Sequence, residues 1–274
     1  MKKSNIERQT INDLEALSTH FLDPTEPLAK VYKEKISGLI ESPFMFNSFH
    51  WVTDIPKREL LYKTNIKKIL GYEEAEFSLE KSIQIIHEGY RHFVTEYGLM
   101  AYRMLTEREY QSLSAVSHYC IQYPMQHKDG HYLLVQMDAS VVQVDEMGNP
   151  IANYNRFEVL GKYLNVPIMI RPRVYFRTLT ANYLELKAQK AEAELSERVK
   201  KSLLDTIGFT KAEQDILLLS LDNKNTAIAE ERHVSINTIK TQNKSILEKA
   251  HDTLSPSFRD VKAVAEYLRD IDII

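Results

Sequence analysis

Phe209-Thr210-Lys211-Ala212-Glu213 opens, Ser235-Ile236-Asn237-Thr238-Ile239-Lys240-Thr241 continues and Ile246-Leu247-Glu248-Lys249 closes the stretch that decides how this chain is organised. Thr210 can cap a helix by accepting the backbone N–H three residues on. Glu213 stands where its carboxylate can return the bond, which is the reciprocal pattern of a capping box. Ile216, Leu217, Leu219 and Leu221 give that helix a buried stripe, and a second short helix carries Ala227, Ile228 and Ala229. His233-Val234-Ser235 then turns the chain into a third helix, with Ser235 as N-cap and Ile239, Ile246 and Leu247 facing inward. Three short helices with a tight turn before the last predict a helix-turn-helix. Burying that inward face leaves Lys240, Thr241, Asn243 and Lys244 outward. Their ammonium, hydroxyl and amide groups are what a major-groove helix offers to phosphates and base edges.

On the C-terminal side, Ser255-Pro256-Ser257 marks a turn, and Val261, Val264, Ala265, Leu268 and Ile271 fall on one face of a closing helix. That helix either supports a dimer or caps the three-helix core. On the N-terminal side, residues 174–205 contain no Gly or Pro and are dense in Ala, Leu, Glu and Lys, so one continuous helix is expected there. Its length would be roughly 45 to 50 Å. Phe176, Leu179, Tyr183 and Leu186 line one stripe, and Leu195, Val199 and Leu203 another. Two readings follow: a linker that dimerises at coiled-coil spacing, or a single helix packed on its own central domain.

Further upstream, Pro24, Pro27 and Pro43 punctuate two amphipathic patterns that predict N-terminal helices over residues 1–43. From Met45 the pattern changes to short strands at residues 50–54 and 60–62, then helical stretches at 66–71 and 73–106. Strands are expected at 117–126, 131–144 and 151–163, separated by Lys128-Asp129-Gly130 and Asp145-Glu146-Met147-Gly148-Asn149-Pro150. Those separators carry hairpin-turn chemistry, so the three strands form an antiparallel meander.

The C-terminal stretch resembles the LuxR/FixJ family of regulators. The family pattern of a hydrophobic residue plus Thr-x-x-Glu, then Ile-Ala, Ser-x-x-Thr-Val-Lys-Thr and Ile-Leu-x-Lys is met by the motifs quoted above, with Ile228-Ala229 between them. Three positions depart from it: the first inter-helix turn is one residue short and lacks glycine, Ala227 stands where Glu is usual, and Gln242 where His is frequent. The resemblance implies a four-helix DNA-binding unit that contacts bases through Lys240, Thr241 and Lys244. It implies phosphate contacts from Ser235 and Thr238, with Asn243 and Lys249 completing the DNA-facing set and a homodimer as the working form. Residues 44–165 resemble a PAS domain through Ile69-Leu70-Gly71-Tyr72, Ile86-His87, Lys128-Asp129-Gly130 and Asp145-Glu146-Met147-Gly148-Asn149-Pro150-Ile151. That resemblance implies a five-stranded antiparallel sheet wrapped by helices, with room for a small ligand between sheet and helices.

The expected architecture is therefore a multidomain α+β chain. It has N-terminal helices at 1–43, a PAS-like sensor domain at 44–165, a linker helix at 172–205, and an all-α helix-turn-helix domain at 206–274. Composition agrees: 274 residues, 43% hydrophobic and 27% charged, allow two folded cores. A net charge of −3 provides no global pull toward nucleic acid, so double-stranded DNA must be engaged by a local cationic face. A single cysteine, Cys120, forbids an intrachain disulfide, and the sequence holds neither a signal-like leader nor a membrane-length apolar run, which points to the cytoplasm. Neither a catalytic triad order nor a phosphate-cradling glycine loop is evident, so no enzyme activity is expected. His87 and His92 are candidate haem ligands, but His87 stands at a helix entry, a structural position. His127 and His131 lie across a hairpin rather than on one helical turn, so they lack the spacing of a helical zinc pair and no metal is expected. No particular cofactor is implied. Two functional classes stay open: a ligand-responsive transcription regulator, or a constitutive DNA-binding protein whose PAS-like domain binds a protein partner.

Overall fold

The computed structural model describes residues 47–111, 113, 117–164, 173–176, 182–254, 258–271, 273 and 274. The N-terminal helices expected before residue 44, and Leu179, fall outside them. Six strands form one antiparallel sheet: β1 (Ser48–Asp54), β2 (Glu59–Thr64), β3 (Ser117–Gln126), β4 (Tyr132–Val144), β5 (Pro150–Lys162) and β6 (Arg173–Phe176), in the spatial order β2-β1-β5-β4-β3-β6. The meander β3-β4-β5 is joined by the two expected turns. Gly130 (φ 93°) and Gly148 (φ 86°) take the left-handed conformations there, and the Asp145 carboxylate accepts the backbone N–H groups of Met147 (2.9 Å) and Asn149 (2.8 Å).

Helices α1 (Ile66–Leu70), α2 (Leu79–Gln84) and α3 (Glu88–Thr106) precede β3, with a 3₁₀ turn at Glu74–Glu76. The helical stretch expected over 73–106 is thus broken, although no proline interrupts it. The breaks are made by caps: Ser78 accepts from the backbone of Lys81 (3.1 Å), and His87 Nδ1 accepts from the backbone of Gly89 (3.1 Å). A side chain that satisfies an orphan helix N–H starts a new helix as effectively as proline ends an old one.

A second correction concerns the linker helix. Residues 173–176 are strand β6, pairing antiparallel with β3 through Cys120↔Arg173 and Tyr119↔Val174, and helix α4 spans Asn182–Ile207. The run Val174-Tyr175-Phe176 is β-branched and aromatic, and the open edge of β3 offers it a ladder that its lack of Gly and Pro does not reveal. Gly208, in the left-handed conformation (φ 72°), ends α4.

One face of α4 is buried along its length. Ala191, Leu195, Val199, Leu203 and Ile207 recur every four residues and are all 4% exposed or less, whereas Leu186 is 66% exposed. The buried stripe packs within the chain against the α3 side of the central domain, flanked by a polar seam. Arg198 reaches both Glu107 carboxylate oxygens and Glu194, the Tyr110 hydroxyl donates to Glu194, and Ser202 donates to Glu96. The stripe of Leu195, Val199 and Leu203 therefore fits the single-helix reading.

Beyond Gly208 come α5 (Lys211–Ser220), α6 (Asn225–Glu231), α7 (Ile236–Thr253) and α8 (Val261–Asp270). Their shared core holds Ile216, Leu217, Ile228, Ile239 and Ile246, and α8 adds Val261, Val264, Ala265 and Leu268. The inward face of α8 packs on α5 and α7. Its Tyr267 hydroxyl donates to the Gly89 carbonyl of α3, which seats this unit on the central domain. Among the described residues, no helix is long and apolar enough to cross a membrane.

Leu203→Ala should lower the denaturation midpoint by the equivalent of about 2 to 4 kcal/mol, because it opens a void in the α3–α4 interface. Leu186→Lys should stay within about 0.5 kcal/mol. Chemical denaturation followed by circular dichroism checks both.

Candidate nucleic-acid interface and an interior cavity

The outward face of α7 is assembled by three local devices. At the start of α5 the capping box forms as expected: Thr210 Oγ accepts from the Glu213 backbone (3.3 Å), and the Glu213 carboxylate accepts from the Thr210 backbone (2.7 Å). At the start of α7, Ser235 Oγ accepts from the backbone N–H of Thr238 (3.1 Å). Between α6 and α7 the chain reverses through a Schellman turn, in which Val234 donates to the Ala229 carbonyl (3.0 Å) and His233 to that of Glu230 (3.1 Å). His233 takes the left-handed conformation (φ 53°) that glycine fills more easily.

These devices leave Ser235, Thr238, Lys240, Thr241 and Lys244 exposed, while Ile239 and Ile246 are buried beneath them. Lys244 makes a loose pair with Glu248 (3.7 Å), and Lys240 has no ion-pair partner among the described residues. Asn243 is half-buried, its amide donating to Asn225 of α6 (3.0 Å) while its Oδ1 stays without a partner. It therefore braces the two helices at the edge of the face. Val234 and Ile236, each 38% exposed, flank Ser235 and add apolar surface that sequence patterning had not singled out.

The Lys249 ammonium bonds to the buried Glu213 carboxylate (2.7 Å) and to the Gly208 carbonyl (2.8 Å), while its side chain stays 30% exposed. Ser245 donates to the same carboxylate (2.7 Å). Burial alone would raise the Glu213 pKa, but the Lys249, Ser245 and Thr210 donors together hold it down at about 2. The terminal Lys of the motif is thus explained by the Glu of the capping box, two positions that sequence reading had kept apart.

The central domain holds a partly open cavity of about 210 Å³ between the sheet and α2, α3 and α4. Its walls are mostly apolar, including Trp51, Leu99, Met125, Met137, Phe157 and Leu195. Leu195 is the contribution of α4, so the long helix forms part of the wall. Burial pushes the phenols of Tyr102, Tyr119 and Tyr123 far above their usual range, so they remain protonated donors. This cavity was expected only through the PAS resemblance; no individual lining residue was legible from sequence.

The suspected histidines sort differently. His87 is spent as the α3 cap among Tyr90, Tyr132 and Tyr163, and burial lowers its pKa. His92, also shifted down by burial, lies on α3 with Nε2 unpartnered and does not line the cavity. His127 and His131 are brought together by the hairpin, their rings stacking 4.5 Å apart, and with Asp129 they place potential ligand atoms within 4.8 Å of one another. Spacing arguments based on helices missed this juxtaposition. His127 Nδ1, however, already accepts the Asp129 backbone N–H (3.1 Å).

No family model matches the chain, and no curated protein matches it. Several solved structures are similar at low identity. The N-terminal domain of a diguanylate cyclase with PAS/PAC sensor from Marinobacter aquaeolei is 21% identical, covers 42% of this chain and 95% of its own, and gives a TM-score of 0.34. The Vibrio cholerae VqmA dimer, described among LuxR-type receptors, is 13% identical over 88% of each chain at a TM-score of 0.30. Escherichia coli SdiA is 15% identical, covers 98% of this chain and 97% of its own, and scores 0.28. Overlaps this loose bear no weight, and function must be argued from the chain's own residues.

The Glu213–Lys249 pair generates a prediction. Lys249→Met should destabilise the C-terminal unit by about 3 to 5 kcal/mol, since it leaves the buried Glu213 carboxylate without its partner, and Glu213→Ala should cost less, since the Lys249 ammonium it leaves is part-exposed. The double variant should cost clearly less than the sum, as a denaturation double-mutant cycle would read. Because the folded pKa of about 2 lies below the ordinary 4.5, the stability from Glu213 is complete above 4.5 and is lost as pH falls toward 2. Acid titration of the parent against Glu213→Ala measures that difference.

Proposed function

We propose that this chain is a transcription regulator of LuxR type that reads duplex DNA with α7 and senses a small molecule in its PAS-like central domain. The observation that carries the first half is the exposed face of Ser235, Thr238, Lys240, Thr241 and Lys244, on a helix whose start is fixed by a side-chain cap and a Schellman turn. A rigid helix presenting hydroxyls and ammonium groups to solvent, with its N-terminal dipole toward the ligand, suits phosphate positioning by Ser235 and Thr238 and base reading by Lys240, Thr241 and Lys244. Asn243 joins this set only at its edge.

The second half rests on the cavity and on Leu195. The cavity wall includes the helix that leads into the C-terminal unit, which favours sensing over a constitutive DNA-binding protein whose central domain only docks a partner. The working form we propose is a homodimer, because one helix-turn-helix reads only a few base pairs, and relatives in this class gain specificity by setting two recognition helices about 34 Å apart.

Binding to an operator selected from random duplexes should weaken with rising salt, and Lys240→Ala or Lys244→Ala should each cost about 1 to 3 kcal/mol where the residue reads a base. If both variants bind selected and random DNA as the parent does, measured by fluorescence anisotropy, α7 is not the reading helix. Sedimentation of the full chain should show a dimer with operator present; a monomer at micromolar concentration, with and without DNA, removes the dimer from the proposal.

A further inference from the structure

Two buried polar atoms on the cavity side of the sheet have no partner, the Tyr119 hydroxyl and Asn153 Oδ1. Both residues line the cavity. Native interiors leave such atoms orphaned rarely, since each costs about 1 to 3 kcal/mol when water is removed without a replacement bond. Strand register places them in adjoining rows of the sheet. Tyr119, Ala139, Asn155 and Trp51 follow one another across β3, β4, β5 and β1, and Val141, Asn153 and Thr53 form the next row along.

The second row is wired to the first. Asn153 Nδ2 donates to Asn155 Oδ1 (2.9 Å), and Asn155 Nδ2 donates to Thr53 Oγ1 (3.1 Å). With its amide nitrogen committed this way, Asn153 leaves its carbonyl oxygen as the unsatisfied acceptor. In the adjoining row Tyr119 stacks on Tyr97 (5.3 Å between centroids), which holds the phenol in place, and burial keeps it protonated as a donor.

The space between them is made by two small residues on opposite walls. Ala139 sits beside Tyr119 in the sheet, and Gly98 faces the cavity from α3, where an added Cβ would meet nothing within 4 Å. A glycine inside a helix costs about 0.5 to 1 kcal/mol relative to alanine, so this one weakens α3 while leaving room. Among the lining residues only Arg58 carries a charge, and it lies part-exposed on the β1–β2 turn and is already engaged elsewhere. Among the described residues, no carboxylate, lysine or histidine lines the walls to neutralise a charged guest.

Building on the ligand-sensing reading above, we propose that the cavity takes a compact, uncharged, largely apolar molecule that donates one hydrogen bond to Asn153 Oδ1 and accepts one from the Tyr119 hydroxyl. The volume of about 210 Å³ is below the usual range for drug-sized ligands, which suits a single substituted ring rather than a lipid chain.

Four probes of nearly one shape test the class: benzamide, benzoate, protonated benzylamine and toluene, each titrated into the full-length protein by thermal shift and ligand-observed NMR. Benzamide should bind saturably and best. Tyr119→Phe and Asn153→Ala should each weaken it about tenfold, because each leaves one ligand group unpaired. Ala139→Leu and Gly98→Leu should abolish its binding; retained melting cooperativity shows that the variant is folded. Preference for benzoate, benzylammonium or toluene overturns the proposed ligand class while leaving the sensing reading in place, as does benzamide binding that ignores Tyr119→Phe and Asn153→Ala. If no probe binds and Ala139→Leu simply raises the melting temperature, the cavity is a packing void, and both the ligand class and the sensing reading fall.

Discussion

The burial of Leu195, at 0% exposure, is the contact on which the arrangement turns. It belongs to the stripe that packs α4 on the central domain, and it also lines the cavity. Four further stripe residues at four-residue spacing, Ala191, Val199, Leu203 and Ile207, make α4 a fixed element of the central domain rather than a tether. The flanking ion pairs of Arg198 and Lys190 are partly or fully exposed, so they set the register of the two helices more than they add stability.

From Leu195 the physical connection to the C-terminal helices is short. α4 ends at Gly208, and the Gly208 carbonyl accepts from Lys249, a residue of α7. The same ammonium bonds Glu213 at the start of α5. One side chain thus ties the end of the long helix, the first helix of the C-terminal unit and the proposed reading helix together. On the ligand-sensing proposal, an occupied cavity that displaces α4 moves this junction as a unit, because the bonds that hold it are short. A coupling of about 1 to 3 kcal/mol is the ordinary size for such a link.

How much of this was legible in the sequence depended on whether the signal was local. The caps at Thr210 and Ser235 and the hairpin turns around Gly130 and Gly148 are properties of four to six consecutive residues, and sequence reading placed them correctly. Strand β6 was not legible, because its reason for existing is the open edge of β3, more than fifty residues earlier. The role of Lys249 was hidden for a similar reason: its partner Glu213 lies 36 residues away, and a lysine in a DNA-binding motif invites an electrostatic reading. The cavity was least legible of all, since Gly98, Ala139, Tyr119 and Asn153 come from four elements and none carries a pattern of its own.

The bonds of Lys249 to Glu213 and Gly208 engage one of the three lysines expected in the DNA-facing set. One α7 then brings two exposed lysines, Lys240 and Lys244, and the second is loosely shared with Glu248. Two neutralised phosphates correspond to a salt slope of only about −1.8 on the logarithmic scale, too shallow for tight non-specific attraction. The chain as a whole, at −3, adds no compensating pull. A single copy therefore depends on base contacts and on the helix dipole to hold DNA, and these act only at close range. A second copy doubles the neutralised phosphates and adds a second set of base contacts without a second loss of translational freedom. With so few cations on each reading helix, pairing of two chains becomes the main physical route to operator affinity on the proposed function.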